Sequence, residues 1–267
     1  MTAGAASPAD LAAVAGALAA ETGLSLASGL GDALRAAMER AAEDRGTTPA
    51  RLAAAVVAGD AGALAALVEQ ATVRETSFWR HPEQLAALAR RAADGAAPLR
   101  LWSAGCASGE EAYGLAMLLR DAGRDAAAGD RVLATDVSAG ALEAARRARY
   151  GPRALRRLPP ALAARWLLPA GPDGARAVHP EVRAGVELRH HNLVRDPLPG
   201  PAFDAVVCRN VLIYFDPAVA AAALRTLLSA VRPGGWLVLG PVELPLAADL
   251  PVEWVEDGGA TLLRRPG

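Results

Sequence analysis

The feature that most constrains this chain is a change of hydrophobic period near Leu99. Before it, up to about Val73, apolar residues recur at helical spacing, whereas beyond it short apolar runs alternate with helical stretches. Helices packed on one another must therefore give way to strands covered by helices. The start signals in the first part are explicit. "SPADLAAVAGALAAE" offers Ser7 as N-cap, Pro8 at the first helical position and Asp10 in the first turn. In "GLGDALRAAMERAAEDRG", Leu34, Met38 and Ala41 form one stripe, with Arg35, Glu39, Arg40 and Glu43 off it. Thr48-Pro49 opens a third helix and Asp60 caps a fourth. These signals predict a small helical bundle over residues 1–73.

Residues 99–267 predict a mostly parallel sheet with both faces covered. Strands are read at "LRLWSAG", "RVLATDVS", "VELRHHNL", "FDAVVCRNV" and "GGWLVLGP", and helices at "GEEAYGLAMLLRDAG" and "AGALEAARRARYG". The tail closes as an antiparallel hairpin about Gly258-Gly259. The Pro- and Gly-rich segment 151–184 interrupts the alternation and reads as an excursion. Residues 74–98 form a linker between the two parts.

Bulk properties exclude several classes. At 267 residues and a net charge of −1, nothing global points to nucleic acid or a membrane surface. All basic residues are arginine, which reads as codon usage rather than function. Cys106 and Cys208 cannot build a disulfide framework and fit a reducing cytoplasm. The longest apolar run, near "LAAVAGALAA", is too short to span a bilayer. The expectation is a cytoplasmic protein.

The chemistry sits at strand ends. "SAGCASGEE" follows the first strand, and its small residues admit a ligand to the backbone at a helix start. It is not the G-x-G-x-x-G that accommodates a pyrophosphate, and Glu110-Glu111 would repel phosphate. Asp136, ending the second strand, occupies the place of an acid that accepts ribose hydroxyls; helix capping is the other reading. Together they indicate a nucleoside-bearing, phosphate-free cofactor such as S-adenosylmethionine. "FDAVVCRNVLIYFDP" then ends a core strand in Arg209 and Asn210, with Tyr214 beyond. Open α/β sheets bind ligands at such tips.

"ETSFWR", "LWSAGCASGEEAYGLAMLL", "ATDVSAGALEAAR", "HHNL" and "FDAVVCRNVLIYFD" resemble the successive motifs of the CheR family, the chemotaxis receptor methyltransferases. The resemblance implies a class I S-adenosylmethionine-dependent methyltransferase fold, Rossmann-like α/β, preceded by a small all-α domain. It implies methyl transfer from S-adenosylmethionine to glutamates on the cytoplasmic methylation helices of chemoreceptors, leaving S-adenosylhomocysteine. No metal, nucleic-acid partner or membrane insertion is implied. By resemblance, Thr76, Arg80, Glu111, Asp136, Asn192, Leu193, Arg209 and Asn210 contact the cofactor, and Arg80, Arg209 and Tyr214 line the active site. The chain departs from the family pattern at Arg74 (usually Asn), Trp79 (an aromatic exchanged for Phe), Ala112 and Gly114, and Pro241-Val242 before Glu243.

A glutamate carboxylate is ionised at neutral pH and needs no general base, so positioning is the protein's main task. The four histidines, His81, His179, His190 and His191, carry little expectation of metal binding. The run Ala145–Arg157 holds six arginines and no acid: either a solvated face or a surface for an acidic partner. Two other functions compete with the transferase. One is a cofactor-binding adaptor or sensor without turnover; the other, a nicotinamide oxidoreductase, is disfavoured by the missing dinucleotide fingerprint.

Overall fold

The computed structural model describes residues 4–25, 31–72, 75–94, 98–124 and 126–267. Four helices come first: α1 (Pro8–Thr22), α2 (Gly31–Asp44), α3 (Pro49–Val57) and α4 (Ala61–Ala71). Their starts follow the capping chemistry of the sequence. Ser7 Oγ accepts from the Asp10 N–H at 3.1 Å, and the Asp10 carboxylate accepts from the Ser7 N–H at 2.8 Å, a closed capping box. Thr48 caps α3 and Asp60 caps α4. Leu18, Met38, Leu52 and Leu67 are fully buried in a core that belongs to these helices. Among the described residues, no single helix is long and apolar enough to cross a membrane.

The stretch read as a linker contains α5 (Pro82–Asp94). Pro82 stands at its first position, where a missing N–H is harmless, and Leu85 and Leu88 are buried against the sheet-side core. The chain continues as β1 (Arg100–Ala104), α6 (Glu110–Asp121), β2 (Arg131–Asp136), α7 (Ala139–Arg147), β3 (Arg149–Tyr150), α8 (Pro152–Leu155), α9 (Pro160–Trp166), β4 (Arg176–Ala177), α10 (Pro180–Arg183) and β5 (Val186–His190). It ends with β6 (Phe203–Cys208), α11 (Pro217–Ala230), β7 (Val231–Leu239), β8 (Glu253–Asp257) and β9 (Ala260–Arg264).

Seven strands form one sheet in the order β5-β2-β1-β6-β7-β9-β8. The pairs from β5 to β7 are parallel, and β9 is antiparallel to both β7 and β8. Gly258 and Gly259 turn the β8–β9 hairpin with φ of 61° and 83°, the positive values a two-residue primed turn needs. Two apolar layers cover the sheet. One joins α5 and α6 to the face bearing Leu101 and Val207; the other joins α11 to the face bearing Trp102 and Val206. β3 and β4 pair separately as a two-stranded ribbon.

This order places the candidate site. The chain winds from β1 through β2 to β5 on one side, then returns to β6 beside β1. The reversal between β1 and β6 is the switch point where open α/β sheets leave a crevice at the strands' carboxyl ends.

Candidate active site

A cleft enclosing about 970 Å³, its open mouth included, lies at that reversal. The size suits a nucleoside-sized ligand. Every site residue named from the sequence lines it: Thr76, Arg80, Glu111, Asp136, Asn192, Leu193, Arg209, Asn210 and Tyr214. Arg74 lies outside the described residues.

The floor is the loop after β1. Gly105 has φ of 80°, and a Cβ there would stand 2.4 Å from Val211 Cγ2. Only glycine lets this loop pack against the β6 tip. The N–H groups of Gly105 and Cys106 both donate to the Thr135 carbonyl, at 2.8 and 2.9 Å, which ties the loop to β2. Burial pushes the Cys106 and Cys208 thiols well above their ordinary values, so neither is a ready nucleophile.

Asp136 is not the cap of α7. That position belongs to Ser138, whose Oγ accepts from the Ala141 N–H at 2.9 Å. The Asp136 carboxylate instead accepts from the Ala107 N–H at 2.8 Å and from the Ser138 N–H at 2.9 Å. Two backbone donors fix its orientation toward the cleft and leave lone pairs for hydroxyl donors. Burial raises its pKa from the ordinary value, against those backbone hydrogen bonds.

Arg209 and Glu111 form a buried pair. Arg209 is 8% exposed, and its Nε donates to Glu111 Oε2 at 2.7 Å. Glu111 Oε1 accepts from Ser103 Oγ at 2.7 Å. Arg209 Nη1 donates to the Arg80 carbonyl at 2.6 Å and to Gln84 Oε1 at 3.3 Å. Gln84, 2% exposed, also donates to the Leu239 carbonyl at 2.7 Å. Sequence reading passed over Gln84; a polar residue on the inner face of an amphipathic helix was the available signal. Arg209 thus holds three elements together and is largely committed to the protein.

Arg80 and Tyr214 differ from it. Neither the Arg80 guanidinium nor the Tyr214 hydroxyl has a hydrogen-bond or ion-pair partner among the described residues. Arg80 sits between Trp79 and His81, whose φ values of 61° and 53° put both in the left-handed region. Non-glycine residues there store strain, typically at functional sites. Burial, then the Arg209 charge, holds the His81 imidazole below its ordinary pKa. Trp79 packs against the α5–α6 side of the core and does not line the cleft.

Asn192 lines the cleft, but its amide is engaged. Nδ2 donates to the Glu21 carbonyl at 2.8 Å, and Oδ1 accepts from the Val194 N–H at 2.9 Å. Its side chain therefore holds α1 over the cleft, and the apolar flank of the site is Leu193, Val137 and Leu24. Asn210 adopts φ of 60°, and its Oδ1 is buried without a partner.

The residue that sequence reading undervalued is Glu243. It is 0% exposed and lies on the segment after β7. Its carboxylate accepts from the N–H groups of Asn210, Val211 and Leu212 at 2.7, 2.8 and 2.8 Å, and of Gly240 at 2.9 Å. Those donors carry the chain past the β6 tip, so Glu243 shapes the loop leading to Tyr214. Pro241 and Val242 are exposed and do not line the cleft. Gly114 has open space where a Cβ would stand, so that departure is neutral for packing.

Among the described residues, no group of three or more His, Cys, Asp or Glu is arranged to hold a metal ion. The histidines have other bonds, with His190 Nε2 3.0 Å from the Val137 carbonyl and His191 Nε2 3.0 Å from that of Pro197. The residues present fit a nucleoside: a partly buried acid with spare lone pairs and an apolar flank.

A switch-point cleft, an acid ending β2 and an antiparallel β9 between β7 and β8 define a Rossmann-like α/β fold of the class I S-adenosylmethionine-dependent methyltransferase type. Residues 74–249 match the family described as "CheR methyltransferase, SAM binding domain", and the chain belongs to that family. It is 36% identical over 188 residues to "Chemotaxis protein methyltransferase 1" of Pseudomonas aeruginosa, a match covering 66% of this chain and 68% of that protein. "Probable biofilm formation methyltransferase WspC" of Pseudomonas putida is 39% identical over 191 residues, 68% of this chain and 44% of that one. A 104.1 kDa uncharacterized protein of Rhodobacter capsulatus is 39% identical over 189 residues, 67% of this chain but 20% of its own length. The matched region is thus one part of some relatives that are much longer.

Proposed function

We propose that this protein is a cytoplasmic protein-glutamate O-methyltransferase, acting from S-adenosylmethionine on the cytoplasmic methylation helices of chemoreceptors. One observation carries the reading. Arg80 and Tyr214, a cation and a hydroxyl without partners among the described residues, share a cleft with an acid at the end of β2. The names of several relatives as chemotaxis protein methyltransferases support the substrate class.

Asp136 holds the ribose of the cofactor, Leu193 and Val137 flank the adenine, and Glu111, with Asn210, faces the amino-acid end. The bound cofactor supplies an electrophilic methyl group on a sulfonium. Arg80 binds one oxygen of the incoming carboxylate, and the Tyr214 hydroxyl donates to fix its angle. Such orientation converts an encounter into an aligned attack, an effect that can amount to about 7–11 kcal/mol of the barrier. Arg209, neutralised by Glu111, positions the Thr76–Arg80 turn rather than gripping the nucleophile, which would lose reactivity if both arginines held it. In this reading residues 1–73 are a helical domain, 74–98 join it to the cofactor site, and 99–267 are the methyltransferase domain with its excursion at 151–184. Nucleic acid and membrane insertion have no part in it.

The test uses S-adenosylmethionine labelled in the methyl group and a receptor cytoplasmic fragment. Label should enter the fragment and leave as volatile methanol on base treatment, because carboxyl methyl esters hydrolyse. Cofactor binding with no such label would instead favour the adaptor reading.

A further inference from the structure

The six arginines between Ala145 and Arg157 do not act as one patch. Arg146 and Arg147 face Glu143 at 3.5 and 4.0 Å, and Arg149 pairs with Asp173. Arg153, Arg156 and Arg157 lie on α8 and the residues just after it, all exposed. The Phe78 N–H donates to the Ala154 carbonyl at 3.2 Å, so α8 is bonded to the turn that carries Thr76 and Arg80. Arg153 Nη2 stands 3.8 Å from the carboxylate of Glu75, a residue at the cleft, with side-chain exposures of 88% and 78%. So exposed a pair is weak and leaves its arginine open to exchange partners. Arg156 and Arg157 have no ion pair among the described residues. Burial, with the charges of Arg209, Arg80 and Arg157, disfavours the protonated form of His81, the residue after Arg80. Glu75 meets Arg153, Glu83 stands 3.6 Å from His81, and Glu111 is taken by Arg209.

Of the four arginines of the amino-terminal helical part, Arg35, Arg40, Arg45 and Arg51, two are engaged within it. Arg40 donates to Gln70 Oε1 and to the Gln70 carbonyl, both at 3.1 Å. Arg45 faces Asp60 at 3.8 Å.

We propose that Arg153 and Arg157, beside Arg80, form a basic rim that docks an acidic polypeptide segment carrying the side chain to be methylated. The inference rests on the transferase reading: if the acceptor is a protein side chain, only that side chain enters the cleft and its flanking residues lie on this rim. Exposed guanidinium groups attract and orient flanking carboxylates, and salt screens that attraction.

Fluorescence anisotropy of a labelled glutamate-rich peptide on the full chain, loaded with S-adenosylhomocysteine, reads docking without turnover. Arg153→Ala/Arg157→Ala should weaken binding by about threefold to tenfold and flatten its salt dependence. Arg146→Ala/Arg147→Ala removes equal charge from the same run and should bind like the parent. Calorimetry should give all three proteins one affinity for S-adenosylhomocysteine, which shows the cleft intact. Equal binding by the Arg153/Arg157 variant and the parent overturns the rim, as does equal loss in both double variants. Displacement of the peptide by duplex DNA as readily as by unlabelled peptide also overturns it. A peptide that docks through the rim and is never methylated overturns the transferase reading while leaving the rim in place.

Discussion

At the scale of single residues, the cleft separates groups already used by the protein from groups kept for ligands. Asp136 bridges the two, since it takes two backbone donors and still faces the cleft. Asp136→Ala should weaken S-adenosylmethionine binding by about 1.5–3 kcal/mol, the range for hydrogen bonds to a charged group. Its pH dependence has a definite sign. A carboxyl raised by burial contributes to stability of the free protein below the ordinary carboxylate range, and that contribution is lost as pH rises through the raised value. Ribose hydroxyls favour the ionised form, so affinity should fall as pH drops through the raised value, and Asp136→Ala should remove that fall. Calorimetry across that range checks both. Tyr214 and Arg80 separate binding from chemistry. Tyr214→Phe should lower single-turnover methylation at saturating cofactor roughly threefold to tenfold, the equivalent of about 0.5–1.5 kcal/mol, with cofactor affinity unchanged. An unchanged rate would return Tyr214 to packing. Arg80→Ala should reduce rate and cofactor affinity together.

At the scale of elements, Glu243 decides how the chain leaves β6. Its carboxylate satisfies four N–H groups in a place without solvent, and removing it leaves those donors unpaired. Each buried unsatisfied donor costs about 1–3 kcal/mol, so Glu243→Ala should destabilise the fold by at least about 3 kcal/mol. Urea unfolding measures this, and a protein as stable as the parent would mean that water takes the carboxylate's place. This residue also shows where sequence reading stops. The α1, α3 and α4 starts were legible because a cap bonds within three residues of itself. The strand tips were legible because Arg209 and Asn210 interrupt an apolar run. Glu243 acts across 31 to 33 residues of chain, and nothing local marks an acid that folding will bury. The helix α5 escaped for another reason: its buried Gln84 and paired Arg90 and Arg91 make its composition look like a solvated connection, while Asp257 on β8 supplies the partner for both arginines. Arg209 and Glu111 were each legible, but their pairing, Nε to Oε2 at 2.7 Å, was not.

At the scale of the whole molecule, the amino-terminal helices keep their own core yet meet the sheet at the cleft. Thr22 and Leu24, at the end of α1, line it from above. The Ser25 N–H donates to the Tyr214 carbonyl at 2.7 Å, and the Asp216 N–H donates to that of Gly23 at 2.9 Å. Asn192 reaches the Glu21 carbonyl on the opposite side. Glu69 at the end of α4 makes a further tie. Its carboxylate accepts from Ser138 Oγ at 2.8 and 3.0 Å and from the Gly140 N–H at 3.1 Å. A carboxylate at the amino end of α7 is favoured by the helix dipole as well as by these donors. The same residues lie directly after Asp136, so this contact joins the helical part to the segment that carries Asp136. Glu69→Ala should therefore lower S-adenosylmethionine affinity although residue 69 lies outside the cleft lining. Loss of two or three charge-assisted bonds, partly replaced by water, predicts a decrease of about threefold to tenfold. Glu69→Gln keeps an acceptor and should recover part of it. Calorimetry decides between two roles. If the helices are only docked on the sheet, Glu69→Ala lowers the melting temperature and leaves cofactor affinity at the parent value. If they close the cleft, affinity falls, and hydrogen exchange at Thr22–Ser25 ceases to slow when cofactor is added.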